Sequence, residues 1–343
     1  MFISTIFLLL GLLLILIASE FFTNGIESLG EKFSLKQAVV GSILAAIGTA
    51  MPETLLPVVA LIFFGSKAGS SGSEIGIGAI LGAPFMLATL AFLVVSCAVI
   101  IGVLQKKRKF EFNVETQSAT RDLSFFIPMY SAGVFVPLIF GATVKPILVL
   151  LLLLSYGYYI YCTIKGEGSQ IEHCREIYFS KFLSKSGINK QPCTSLILIL
   201  SQVTFALALL VFGAHIFVDK LQKVSMHFGM NPLLFALILA PIATELPEKF
   251  NSFTWTLKGK DSLAFGNITG AMVFQSTFPV SIGLLFTPWH INGLALLSAI
   301  IAISSGVLVY ISLRSAKKVS PWVLLFGGVF YLIYITALLL NHN

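Results

Sequence analysis

Ile43-Leu44-Ala45-Ala46-Ile47-Gly48-Thr49-Ala50-Met51-Pro52-Glu53 returns later in the chain as Ile238-Leu239-Ala240-Pro241-Ile242-Ala243-Thr244-Glu245-Leu246-Pro247-Glu248, identical at seven of eleven positions with an offset of 195. In both copies a glutamate follows a proline inside a mostly apolar run. A second pair, Gly78-x-x-x-Gly82 and Gly266-x-x-x-Gly270, repeats at an offset of 188, and the difference of seven assigns a longer loop to the first half. The chain reads as a duplicated unit, and the surrounding runs decide what kind of unit it is.

Stretches without Asp, Glu, Lys or Arg cover 1–19, 75–105, 123–144, 146–164, 191–218, 262–313 and 319–343; 37–66 is broken only by Glu53, and 224–257 only by Glu245, Glu248 and Lys249. Most match the roughly 20 residues of a bilayer-spanning helix. The run 262–313 holds two, separated by a turn at Thr287-Pro288-Trp289-His290-Ile291-Asn292-Gly293. The 343 residues are 57% apolar and 11% charged, against about a quarter charged in soluble domains, which excludes a soluble enzyme. Ten spans result, five per half. An odd number makes the second copy enter the membrane from the opposite side. The expected fold is an all-α membrane protein of ten transmembrane helices in two inverted five-helix repeats, 1–165 and 195–343, joined by a cytosolic linker at 166–194. Helices two and seven are expected to be broken at their prolines, as in secondary transporters with midplane sites.

Loop lysines and arginines orient the array. With the N-terminus outside, 18 of the 22 fall on the inner side and only Lys67, Lys145, Lys220 and Lys223 on the outer. This predicts a multi-pass protein of the plasma or inner membrane with both termini outside. The net charge of +7 is thereby a topology signal, and no nucleic-acid partner is expected. The first run lacks a positive n-region and a small-residue cleavage site, so it reads as a retained helix. Cys97, Cys162, Cys174 and Cys193 form no C-x-x-C pair and read as reduced thiols. His215, His227 and His290 read as interfacial anchors, Trp289 and Trp322 as belt residues, and Lys106-Lys107-Arg108-Lys109 as a topology determinant. His173 with Cys174 is too few ligands for a metal site.

A proline inside a span frees a carbonyl of the preceding turn, which in lipid must be satisfied by a neighbour, water or an ion. The glutamate directly after it adds a hard carboxylate oxygen, and Thr49 or Thr244 can add a hydroxyl. Two such segments meeting would supply the oxygen-rich set that suits calcium or another hard cation. The bland alternative is a pair of protonated or paired carboxylates with tolerated kinks, against which stands the cost of about 2.5–3.5 kcal/mol for each mid-membrane acid. Close helix packing explains the Gly-x-x-x-Gly pairs without an ion.

The paired segments and the five-plus-five arrangement resemble the calcium/cation antiporter superfamily, which includes the sodium/calcium exchangers. That family carries G-T-S-x-P-E in the second helix of each half and G-N-x-x-G-S, followed by Asn or Asp, in the third. The resemblance covers nearly the whole chain. It implies midplane ion sites drawing on Glu53, Glu248, Thr49, Thr244, Glu245, Asn267 and Gln275, and alternating access by sliding of the first and sixth helices past the core. It also implies no cofactor, with calcium as the transported ion and sodium or protons as counter-ion, and no obligate protein partner besides the bilayer.

The chain departs from that pattern in places that matter. The family serine, asparagine, second serine and later amide or acid of the first half are Ala50, Ala79, Ala83 and Leu87; in the second half the positions of serine, G-S serine and acid hold Glu245, Ala271 and Gln275. Lost hydroxyl and amide ligands weaken sodium sites more than a divalent site anchored by carboxylates. Glu245 either restores a third carboxylate, suited to proton exchange through coupled titration with Glu248, or is a charge that pairs with Lys249 or lines a cytosol-facing vestibule. The competing classes are an intramembrane enzyme, for which no H-E-x-x-H or nucleophile elbow is present, and a non-transporting descendant of an antiporter.

Overall fold

The computed structural model describes residues 2–32, 45–166, 177–180, 195–291, 293–316 and 319–341; within the helices the side chains of 27, 30, 31, 45–50, 166, 243, 247 and 248 lie outside the description. Ten long helices are present among these residues, and no strand: α1 (Phe2–Lys32), α2 (Ala45–Phe64), α3 (Ser71–Leu104), α4 (Thr116–Phe140), α5 (Lys145–Gly166), α6 (Leu196–His227), α7 (Pro232–Leu257), α8 (Asp261–Phe286), α9 (Gly293–Ala316) and α10 (Pro321–Leu340). Eight are long and apolar enough to cross a membrane. The other two are α2 and α7, whose apolar stretches are the shorter Met51–Phe64 and Pro232–Leu246. These are the helices that carry the repeated Pro-Glu segments.

Local chemistry sets the helix ends. The Ser70 and Ser195 hydroxyls accept from Ser73 N and Leu198 N, and the Asn231 side chain accepts from Leu233 N at 2.8 Å just before Pro232 opens α7. Gly229, at φ +65°, ends α6 in a conformation that L side chains avoid. The expected breaks in helices two and seven are absent within the described residues. Both α2 from Ala45 and α7 continue through their prolines, because each proline removes only one helical bond while the rest of the ladder persists. In α3 the α-helical ladder gives way to a π turn at Leu87–Ala91. There Ser305 Oγ of α9 donates to Ala88 O at 2.5 Å, and Thr89 Oγ1 donates to Phe85 O at 2.5 Å.

Helix directions follow from which residues touch. Gly11 of α1 packs on Gly213 and Phe217 of α6, whereas Gly25 packs on Val203, so α1 and α6 are antiparallel. Gln202 of α6 donates to Phe21 O and to Asn24 Oδ1 across the same seam, both at 2.9 Å. Residues 177–180 lie over this seam through Tyr178 N to Asn24 Oδ1 (3.2 Å) and Phe179 N to Gln202 Oε1 (3.0 Å). In contrast, Gly78 meets Leu233 and Gly82 meets Leu237 and Pro241, so α3 and α7 run parallel. The contacts persist in kind when each helix is exchanged for the one five later: α2 with α3 and α7 with α8, α4 with α8 and α9 with α3, α5 with α8 and α10 with α3.

Two apolar clusters form the core. One joins α3, α4, α5, α8, α9 and α10 with Leu237 of α7; the other joins α1 and α6 with α2 and the N-terminal parts of α3 and α7. The first Gly-x-x-x-Gly is a packing device between α3 and α7, as the bland reading of that motif has it. Pro241 removes the donor for Leu237 O, and a Cβ at Gly82 would collide with that carbonyl. Near Gly270, among the described residues outside its own helix backbone, only the Tyr159 hydroxyl lies within 4 Å of such an atom, at 3.7 Å. Gly82→Ala is expected to lower stability by about 1–3 kcal/mol, whereas Gly270→Ala is close to neutral. Thermal unfolding in detergent checks this, and equal shifts for the two variants would contradict the asymmetry.

Candidate functional site

Glu53 sits in the middle of α2, 5% exposed, and faces a narrow crevice shared by three helices. The crevice is lined by Glu53 and Leu56 of α2, Ala79 and Ala83 of α3, and Ala240, Pro241 and Thr244 of α7. No point in it is wide enough for a freely placed water molecule. Its polar groups come from both halves of the chain. The apolar floor consists of Ala79 and Ala83, two of the positions where the resembled family carries Asn and Ser.

Thr244 is 4% exposed, and its hydroxyl donates to Ala240 O at 3.2 Å, which leaves hydroxyl lone pairs at the crevice. Glu248 follows one helical turn later along α7, but its side chain, like that of Thr49, lies outside the described residues. Among the described residues no three His, Cys, Asp or Glu side chains form a group that could hold a metal ion. The structure thus brings together Glu53 and Thr244, and places Thr49 and Glu248 on the helices that carry them.

Glu245 is engaged elsewhere. It is wholly buried, and Lys249 Nζ donates to its Oε2 at 2.7 Å from one turn further along α7. The pairing with Lys249 considered for Glu245 is thus present in the structure. Lys249, counted above among the inner-loop charges, is 8% exposed inside α7, because the helix runs on to Leu257. Asn267 Nδ2 donates to Ser252 Oγ at 3.1 Å, which sets the register of α7 against α8. Gln275 is 2% exposed, and its Oε1 has no hydrogen-bond donor among the described residues.

Other polar clusters carry no signal in the local sequence. Asp122 of α4, read as the flank of a span, is buried and accepts from Thr269 Oγ1 of α8 (2.6 Å), Tyr159 OH of α5 (3.1 Å) and Arg121. It holds the Gly-Asn-Ile-Thr-Gly segment of α8 against α4 and α5. Arg108, read as part of a topology cluster, forms a bidentate pair with Asp261 at 2.8 and 2.7 Å. Trp289, expected in an interfacial belt, is buried against Gly283 and donates Nε1–H to Gly133 O at 3.0 Å, whereas Trp322 is exposed. His215 packs its ring on Phe63 and Phe64.

The comparisons with known proteins fit this geometry. Residues 3–165 and 198–341 match the family model described as sodium/calcium exchanger protein. The candidate antiporter CaxA of Alkalimonas amylolytica is 24% identical over 363 residues, spanning 97% of this chain and 99% of its own. The uncharacterized membrane protein MJ0091 of Methanocaldococcus jannaschii is also 24% identical, over 97% of this chain and 96% of its own. Among solved structures, the H+/Ca2+ exchanger CAX superimposes with a TM-score of 0.73 at 17% identity, covering 98% of this chain and 82% of that one. The sodium-calcium exchanger NCX_Mj, soaked with Na+ and Sr2+, gives a TM-score of 0.58 at 19% identity over 97% of each chain.

Proposed function

The chain belongs to the sodium/calcium exchanger protein family, and on that premise we propose that it is a secondary active antiporter that moves calcium or another divalent cation against sodium or protons by alternating access. The observation that carries this reading is the Glu53 crevice, where a buried carboxylate of one half faces Thr244 and Pro241 of the other. A hard carboxylate oxygen, a hydroxyl and the carbonyl region around an intrahelical proline are the ligand types a divalent cation takes. The proposed set is Glu53, Glu248, Thr49 and Thr244, with Asn267 and Gln275 on the adjoining turns of α8. Because the crevice excludes free water, an ion entering it must shed most of its hydration shell or wait for the helices to part.

The membrane arrangement in this proposal is ten spans in two inverted halves, 1–165 and 195–343, with 166–194 on the cytosolic side and both termini outside the plasma or inner membrane. Its supports are the antiparallel α1–α6 seam, the exchange of each helix for the one five later, and the 18-to-4 charge split. The separate apolar cluster of α1 and α6 suits a moving pair, since much of its packing is internal. Alanines at 79 and 83 in the crevice floor favour weakened sodium ligation, and hence a cycle less dependent on sodium than one with hydroxyl and amide ligands at those positions.

The test is flux. Purified protein in liposomes with an entrapped calcium-sensitive dye is expected to respond to an imposed sodium or pH gradient. A dye that stays silent under both gradients, with calcium, strontium and manganese each offered, would reject the antiporter reading and return the non-transporting and enzymatic alternatives.

A further inference from the structure

We infer that Lys249 is a tethered cation: its ammonium occupies the Glu245 carboxylate in place of an alkali-metal ion that this carboxylate would otherwise bind and carry. The inference rests on the antiporter reading, and it begins from an imbalance of donors and acceptors. Glu245 and Lys249 lie one turn apart on α7 with side chains 0% and 9% exposed, and they meet at 2.7 Å through Oε2 alone. Glu245 Oε1 is buried with no donor among the described residues, and so is Gln275 Oε1.

The register of the α7–α8 hairpin brings these acceptors to one level. Ser252 and Asn267 touch; eight residues back along α7 from Ser252 is Thr244, and eight residues on along α8 from Asn267 is Gln275. Antiparallel neighbours with equal rise per residue place Gln275 beside Thr244 and Glu245. The hairpin therefore offers two carboxylate oxygens and an amide oxygen at one depth, against a single ammonium. An excess of buried oxygen acceptors around one positive charge is the make-up of a cation site.

A surface Glu→Lys pair at this spacing would be a minor helix-stabilising contact. Here both partners are buried, so the ammonium supplies the only charge that neutralises Glu245 among the described residues. Its removal leaves a buried carboxylate that must recruit a cation from solution. A covalently held cation cannot leave during a transport cycle, so the native protein carries one monovalent positive charge fewer per cycle than the same site with Lys249 replaced.

The experiment compares wild type, Lys249→Met and the double variant Lys249→Met/Glu245→Gln in liposomes at fixed alkaline pH, with calcium distribution read at clamped membrane potentials with and without sodium. In Lys249→Met, flux is expected to become dependent on sodium, and one extra charge per cycle changes the equilibrium calcium ratio about tenfold for each ~59 mV. The double variant, which removes carboxylate and ammonium together, is expected to return to wild-type coupling. An unchanged charge per cycle in Lys249→Met, or the same change in the double variant, overturns the inference. Where Lys249→Met does not transport, its unfolding temperature is read against sodium, potassium and lithium. A cation-specific rise absent from wild type and double variant supports the tethered cation, and no rise overturns it. Silent wild-type flux would instead count against the antiporter reading, while the unfolding series still decides the role of Lys249.

Discussion

Glu53→Gln is expected to abolish divalent-cation flux while the protein remains helical and purifies at wild-type yield. The side chain is buried, and the crevice it faces is otherwise alanine, leucine and proline apart from Thr244. Gln matches Glu in volume, so the packing of α2 on α3 and α7 is kept, and the change removes one negative charge and one hard oxygen. Withdrawing one partner from a desolvated charge interaction costs about 3–5 kcal/mol. At 1.4 kcal/mol per decade that is a loss of roughly a hundredfold to a few thousandfold in apparent calcium affinity. Glu53→Asp keeps the charge but shortens its reach, and is expected to fall between the two. Initial rates of calcium uptake over a wide concentration range check the series. Near wild-type affinity in Glu53→Gln would leave the carboxylate as a structural group and the crevice as a packing defect.

How far these features are legible in sequence depends on the range of the interaction behind them. Glu53 is legible because a carboxylate after a proline in an apolar run has no cheap structural explanation, and because the segment recurs 195 residues later. Ala79 and Ala83 are legible for the same reason, since the repeat aligns them with a motif and the structure sets both in the crevice. Lys249 is not. In the sequence it counts as an inner-side charge, and its burial against Glu245 is visible only in the structure. The extension of α1 from Ser19 to Lys32 is hidden likewise, because Asn24 finds its partner in Gln202 across the other half of the chain. Asp122 meets Tyr159 and Thr269, 37 and 147 residues away, and no local pattern records such partners. The π turn at Leu87–Ala91 has no signature of its own; Ser305 takes up Ala88 O, one of the carbonyls of that turn, and Gly327 packs on Thr89 O.

The second large effect is expected at the Arg108–Asp261 pair, which ties the loop after α3 to the first residue of α8. Arg108 is 10% and Asp261 3% exposed. The guanidinium donates to both carboxylate oxygens and also to Thr256 O and Glu111 O, and Asn113 N donates to Asp261 Oδ2 at 2.9 Å. One residue on, Ser262 Oγ accepts from Glu115 N at 2.9 Å. The loop between α3 and α4 is thus fastened to the turn between α7 and α8, so the clasp joins the two halves at the end of the bundle where both hairpins turn. Gly102 leaves the room, since a Cβ there would press on the aliphatic stem of Arg108 at 2.7 Å. Removing Asp261 alone strands a buried guanidinium and the Asn113 N–H of the loop, and Asp261→Ala is expected to destabilise by about 3–5 kcal/mol. Arg108→Lys should recover little of the native stability, because an ammonium cannot span both carboxylate oxygens and two carbonyls in one plane. Replacing both partners, as Arg108→Met/Asp261→Leu, removes the stranded charge and should be milder than Asp261→Ala. Unfolding temperatures of the four proteins in one detergent decide the matter: a double variant as damaged as Asp261→Ala would mean that the loop hydrogen bonds, and not the buried charge pair, hold the two hairpins together.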